Sequence, residues 1–232
     1  MSKSAACQSG ELREFVRQCL WARDLLPAQL PLILDSLVPR RFGKGEFVCR
    51  KGEMADSWMG VMSGLVKSTN VSVDGKSVTL TGVPAGGWFG EGSLLKNEKR
   101  PYGVVALRES VVVFMPKRTF DELLRNNIGF NHFLLTQLNQ RLGQFIAMLE
   151  SERLFDPEVR LARALAQLFN PHLYPNRGNG LAITQEEIGL LCGLSRPRAN
   201  KALKQLEDLG LLKVEYGSIS VPDLGRLGSY GD

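Results

Sequence analysis

Arg196, Arg198, Lys201 and Lys204 form a run of cations uninterrupted by any acid, shortly after Thr184-Gln185-Glu186-Glu187 and Gly193-Leu194-Ser195. Thr184 and Glu187 have capping-box spacing, in which the hydroxyl accepts from the N3 amide and the carboxylate reaches back to the cap amide. The spacing predicts a short helix through Cys192 with Ile188 and Leu191 apolar, a tight turn at Gly193, and Leu194 plugging the angle to a second helix. Ser195 is expected to cap that second helix, and Pro197 is tolerated because first-turn amides have no intrahelical partner. Ala199, Leu203 and Leu206 then face a core, while Arg196, Arg198, Asn200, Lys201 and Lys204 do not. This is helix-turn-helix spacing, and its cationic side suits double-stranded DNA. Arg196 and Arg198 could reach base edges, where arginine bidentate to guanine is the commonest specific contact. Thr184, Gln185 and Ser195 lie at helix N-termini, where phosphates bind, and Asn200, Lys201 and Lys204 continue the surface along a groove. A generic helical pair with a solvated basic face has the same pattern and is the competing reading.

The second stretch is Trp88-Phe89-Gly90-Glu91-Gly92-Ser93-Leu94-Leu95, followed by Arg100-Pro101-Tyr102. Small residues let backbone approach an anion, Glu91 can accept from hydroxyls, and Arg100 can pair with a phosphate. A plain β-turn shares that pattern. Gly90, Glu91, Gly92, Ser93, Arg100, Pro101 and Tyr102 are therefore candidate ligand-binding residues.

The elements that must position these stretches can be read from texture. Residues 11 to 38 carry helical spacing interrupted by Pro27, Pro31 and Pro39. From Arg41 to Pro116, short apolar runs such as Val78-Thr79-Leu80 and Val111-Val112-Val113-Phe114 alternate with glycine turns, among them Asp74-Gly75. That rhythm predicts a β-barrel or jelly roll. Leu135, Leu138, Leu142, Phe145 and Leu149 then step by 3, 4, 3 and 4, the spacing of a coiled-coil seam. They predict a long helix paired with its own twin; a helix packed on its own domain is the alternative, with Leu134, Ile146 and Met148 widening the stripe. Asp156-Pro157 breaks that helix. Leu212 to Val221 reads as a hairpin turning near Gly217, a wing beside the helical pair. The expected fold is α+β: residues 1–130 as helices and a β-roll, 131–155 as a dimerisation helix, 156–232 as a winged helix-turn-helix.

Composition limits the function classes. The chain has 232 residues, 44% hydrophobic and 23% charged, with a net charge of +5. From Asp156 onward Lys/Arg and Asp/Glu balance, so the local run of cations matters more than the total. No apolar stretch approaches the roughly 20 residues that span a bilayer, and the first residues lack a secretory pattern, so the expected compartment is the cytoplasm. Cys7, Cys19, Cys49 and Cys192 are scattered, without metal spacing. The two histidines, His132 and His172, lie outside the β segment, which argues against a metal-dependent jelly-roll enzyme or a nucleophilic triad. Neither an enzyme nor a metal site is expected.

With Ile183-Thr184-Gln185-Glu186-Glu187-Ile188-Gly189, Gly193-Leu194-Ser195-Arg196 and Phe89-Gly90-Glu91 in this domain order, the chain resembles the Crp/Fnr superfamily of bacterial transcription regulators from about Leu26 to Val221. The resemblance implies a homodimer on an inverted-repeat operator, with a cyclic-nucleotide-binding-like domain whose effector rearranges the dimer helices, and RNA polymerase as a partner. It further implies Glu91 on a ribose hydroxyl and Arg100 on the cyclic phosphate. The departures are specific. Pro101 stands where cyclic-AMP-responsive members carry Ser or Thr, and it offers neither hydroxyl nor amide. Phe145-Ile146 stands where they carry the Thr-Ser pair that reads adenine, although Phe145 could stack on a base. Gly92 replaces a large apolar residue, and Pro197 replaces the Glu or Gln that often reads a base. The implied effector is therefore cyclic-nucleotide-like, with cyclic AMP disfavoured. The alternatives are a different ligand, such as a cyclic dinucleotide, or no effector. The cysteine cluster of redox members and the axial ligand of haem members have no counterpart.

Overall fold

The strand-forming runs of the β segment bury both faces at their centre. Trp58, Met59 and Val61 on one strand, and Val112, Val113 and Met115 on its partner, are completely inaccessible to solvent. The computed structural model describes residues 3–71, 74, 77–175 and 178–231, with side chains from Gly10 onward. Gly75 of the expected Asp74-Gly75 turn and the side chain of Cys7 lie outside the described residues.

In chain order the elements are α1 (Lys3–Gln18), a 3-10 turn (Leu20–Ala22), α2 (Gln29–Ser36), β1 (Val38–Phe42), β2 (Phe47–Cys49), β3 (Ser57–Ser63), β4 (Leu65–Val71), β5 (Ser77–Pro84), β6 (Trp88–Phe89), α3 (Glu91–Lys96), β7 (Gly103–Ala106), β8 (Ser110–Pro116) and α4 (Lys117–Asn126). They continue with α5 (Ile128–Leu154), α6 (Pro157–Gln167), β9 (Gly180–Ala182), α7 (Gln185–Cys192), α8 (Arg196–Asp208), β10 (Lys213–Glu215), β11 (Ser218–Ser220) and α9 (Leu224–Gly228). The chain divides into two compact units: one holds residues up to Thr69 and Val83–Asn139, the other Asn70–Gly82 and Gln140–Asp232.

The β-roll is made of two four-stranded sheets, ordered β1-β8-β3-β6 and β2-β7-β4-β5. β3 and β8 pair antiparallel, Trp58 opposite Met115 and Gly60 opposite Val113, with a bulge between Val61 and Ser63. Non-consecutive strands lying side by side are what a jelly roll requires. The predicted β architecture is present, with α3 added where the sequence reads as a loop.

One aromatic cluster ties the N-terminal helices to the roll. Leu12, Phe15, Val16 and Cys19 of the first helix region join Trp21, Trp58, Trp88, Phe120, Phe130 and Leu134 in a single core. The Trp88 indole N–H donates to Cys19 Sγ at 3.1 Å, and burial pushes the Cys19 thiol up to about 12. Among the described residues Cys19, Cys49 and Cys192 are free thiols. Gly60 is dictated by this cluster, because a Cβ there would clash with the Trp88 indole, 2.7 Å from its Cδ2. Gly60→Ala is expected to cost about 1–3 kcal/mol, the usual penalty for overpacking. Thermal unfolding checks it: the melting temperature should fall by about 3 °C or more, and an unchanged value would mean the indole can yield.

Candidate functional site

The helix-turn-helix is built by local rules. Thr184 Oγ1 accepts from the Glu187 amide at 3.2 Å, and Glu187 Oε2 accepts from the Thr184 amide at 2.7 Å, closing the expected capping box. α7 ends at Gly193, whose φ of 64° is the left-handed conformation open to glycine, and the Leu194 amide returns to the Gly189 carbonyl at 2.9 Å. Gly189 is tight as well: a Cβ would stand 3.1 Å from the Leu194 carbonyl oxygen, so the turn closes against bare backbone.

α8 departs from expectation at its start. Ser195 holds the N-cap position, but its hydroxyl accepts no capping hydrogen bond. Pro197 at N2 has no N–H, and the Arg198 amide at N3 receives no bond from the hydroxyl either. Ser195 is left exposed with Arg196 and Arg198 beside it. Lys201 and Lys204 are exposed one and two turns on, above a fully buried stripe of Ala199, Ala202, Leu203 and Leu206. Asn200 corrects the outward assignment. It is half-buried, and its Oδ1 is sealed off without a hydrogen-bond partner, because it flanks Ala199 and lies one turn from Leu203 at the edge of that stripe. Thr184 and Gln185 are exposed at the head of α7.

The wing is a three-stranded sheet ordered β10-β11-β9, with Val214 opposite Ile219 and Ile219 opposite Leu181. Its turn carries Gly217 at φ 73° and a fully exposed Tyr216. Sequence spacing identified the hairpin but not Tyr216 as a surface feature, since an aromatic residue in a short strand reads as core. α6 supplies the floor with buried Leu161, Ala162 and Leu165.

In the β-roll, Glu91 and Arg100 are both buried and polar. Arg100 Nη2 donates to the Ser57 carbonyl at 3.0 Å and stands 3.7 Å from Asp56 Oδ1, a carboxylate that is itself 85% exposed. Its backbone is fixed on both sides: the Arg100 amide donates to the Glu53 carbonyl and its carbonyl accepts from the Gly52 amide, each at 2.8 Å. Gly90, at φ 94°, passes beneath the guanidinium; a Cβ there would meet Arg100 Nη1 at 3.0 Å. Glu91 Oε2 accepts from the Trp58 indole N–H at 3.3 Å. Ser93 is buried, a Cβ on Gly92 would meet no other side chain within 4 Å, Tyr102 is half-buried and Pro101 is exposed. A guanidinium and a carboxylate are thus both buried in the roll, and the Asp56 carboxylate paired with Arg100 faces solvent. Such groups can hold an anion beside a hydroxyl donor.

α5 buries Phe130 and Leu134 near its start but leaves much of its later apolar face uncovered. Its apolar residues Leu135, Leu142, Phe145 and Leu149 are exposed, Leu142 at 58%, while Gln137, Gln144 and Ser151, seven residues apart, are buried. Leu138 of the expected seam is half-buried in the single chain, and Ile146 is exposed in addition. The helix starts three residues before the expected boundary, at Ile128, where Asn127 Oδ1 accepts from the Phe130 amide at 2.8 Å. Among the described residues, no group of His, Cys, Asp and Glu is arranged to hold a metal ion, and no helix is long and apolar enough to cross a membrane.

Comparison with known proteins matches these two sites to named domains. Residues 39–127 match the cyclic nucleotide-binding domain, and residues 159–230 match the Crp-like helix-turn-helix domain. A CRP-like cAMP-activated global transcriptional regulator of Mycobacterium tuberculosis is 28% identical over 205 residues, spanning 87% of this chain and 91% of that protein. The transcriptional regulator LdrP of Thermus thermophilus is 28% identical over 190 residues, 81% of this chain and 94% of its own. The structure of FixK2 from Bradyrhizobium japonicum shares the fold with a TM-score of 0.67 at 18% identity, covering 82% of this chain and 95% of that one. The first two of these relatives are transcriptional regulators. With a cyclic nucleotide-binding domain, a long helix and a Crp-like helix-turn-helix in that order, the chain belongs to the Crp/Fnr family of transcription regulators.

Proposed function

We propose that this regulator is a cytoplasmic homodimer that binds an inverted-repeat DNA operator, with an affinity set by a small anionic, cyclic-nucleotide-like ligand in the β-roll. The observation that carries the DNA reading is α8, with four exposed cations and an open N-terminus standing on a fully buried apolar stripe. Arg196 and Arg198 read base edges, Thr184, Gln185 and Ser195 bind phosphates, and Lys201 and Lys204 follow the backbone. Asn200 acts from the edge of the surface, and Tyr216 at the wing tip adds a phosphate contact. The seam of Leu135, Leu142, Phe145 and Leu149, with Leu138 at its margin, joins two copies and sets their reading helices roughly 34 Å apart. RNA polymerase is the protein partner implied by regulation of transcription.

In the roll, Arg100 holds the anionic group and Glu91 accepts from a hydroxyl, with Gly90, Gly92, Ser93, Pro101 and Tyr102 around them. Pro101 and Phe145-Ile146 disfavour cyclic AMP, and the space at Gly92 suits a larger ligand such as a cyclic dinucleotide. A second reading, DNA binding with no effector, is favoured by one observation: Glu91 already accepts from Trp58.

The test is fluorescence anisotropy of a labelled operator selected from random DNA, titrated with protein alone and with cyclic AMP, cyclic GMP or cyclic di-GMP. A gain of about tenfold with one nucleotide, equal to about 1.4 kcal/mol of coupling, is the expected result. Tight binding that none of the three changes would remove the nucleotide and leave the second reading.

A further inference from the structure

We infer that Trp58 is the positioning residue that carries the state of the Glu91 carboxylate to α5. Trp58 is completely buried, and its indole N–H donates to Glu91 Oε2 at 3.3 Å across 33 residues of sequence. The same ring meets α5 edge-on at two places, Phe130 at 5.6 Å and 82° and Phe133 at 6.2 Å and 63°. It also lies against Trp88 at 4.4 Å, and the Trp88 carbonyl accepts from Gln137 Nε2 of α5 at 3.4 Å. One side chain therefore holds the carboxylate by its polar edge and touches the long helix by its apolar edge.

A close-packed core passes such a change on as a discrete ring movement, because it has little free volume to absorb it. A hydroxyl donated to Glu91 turns or occupies the carboxylate that the indole holds. The ring then settles differently against Phe130 and Phe133, and the start of α5 follows. This rests on the ligand reading of Glu91 only for what perturbs the carboxylate. The link from Glu91 to the helix exists without ligand and can be tested without it.

The experiment uses the full chain in four forms: the parent, Trp58→Phe, Glu91→Leu and the double variant. Phe keeps an aromatic ring and removes the N–H; Leu keeps apolar bulk and removes the acceptor. Operator affinity is read by anisotropy, and thermal unfolding is read in parallel on each form. Each single variant is expected to change the operator Kd by about fivefold or more, in the same direction. The double variant should match either single within about twofold, since all three lack the same bond. Unchanged affinities, or single effects that simply add, would overturn the assignment. Lowered melting temperatures with unaltered operator affinity would also overturn it, by making Trp58 only a core residue. Titration with cyclic AMP, cyclic GMP and cyclic di-GMP separates the two readings. If a nucleotide shifts the parent and shifts Trp58→Phe equally, the ligand site stands and the Trp58 link falls. If no nucleotide shifts the parent while the four-form cycle is non-additive, the link stands and the nucleotide reading falls.

Discussion

The double variant Leu142→Lys, Leu149→Lys is expected to sediment as a monomer where the parent sediments as a dimer, and to bind a two-half-site operator about a hundredfold or more weakly, the avidity lost when two reading heads are unlinked. The expectation follows from which face of α5 is wet. Leu142 and Leu149 are exposed in the single chain, whereas the polar Gln137, Gln144 and Ser151 are tucked inward. Burying a leucine is worth about 1.5 kcal/mol or more, so an apolar seam is stable only when something covers it, and the heptad spacing selects a second copy of the same helix. Lysine at these positions leaves the helix intact, being a good helix former at solvent-facing sites. It also adds positive charge, which on its own strengthens binding to DNA. A loss of affinity therefore runs against the electrostatics and reports the lost partner. A dimer that survives both lysines would place the interface elsewhere, and the spacing of the operator half-sites would then need a different dyad.

The winged helix was legible in the sequence because its signals are local. A capping box, a left-handed glycine and a buried stripe of small and branched residues each act within one or two turns, and Thr184, Glu187, Gly193, Ala199 and Leu203 satisfy them in the structure. Where local rules compete, the reading slipped. Ser195 holds the N-cap of α8 without a side-chain bond, and Asn200 sits where the polar and buried arcs of α8 meet. Pro157 ends one helical pattern, but it also opens α6 as its first residue, with Asp156 at the N-cap. The β-roll was legible as a class and not as a topology. Glycine spacing marks the turns between short strands, but pairing β8 between β1 and β3 depends on contacts far apart in sequence. The candidate ligand site shows the same limit. Glu91 and Arg100 stand out by type, but their partners Trp58 and Ser57 lie 33 and 43 residues away, and no pattern links them.

Arg196→Ala is expected to weaken binding to the selected operator by about 1–3 kcal/mol, and to relax the preference at one base pair of each half-site, with little effect on random DNA. The exposed guanidinium stands in the first turn of α8, just after an N-cap whose hydroxyl accepts no bond, where side chains of a reading helix meet base edges. Arg196→Lys should restore little of the loss, because an ammonium cannot make the two parallel bonds of a guanidinium fork. Lys204→Ala provides the contrast. Two turns further on, its proposed role is that of a point charge beside the phosphates, so its loss should weaken selected and random DNA alike and lower the salt slope by about one ion per contact removed. Competition titrations of the three variants against both DNAs, at several salt concentrations, separate these roles. Equal losses on selected and random DNA for Arg196→Ala would assign it to the backbone with Lys204. Base reading would then fall to Arg198, the other exposed cation of the first turn, on the opposite flank of the buried stripe.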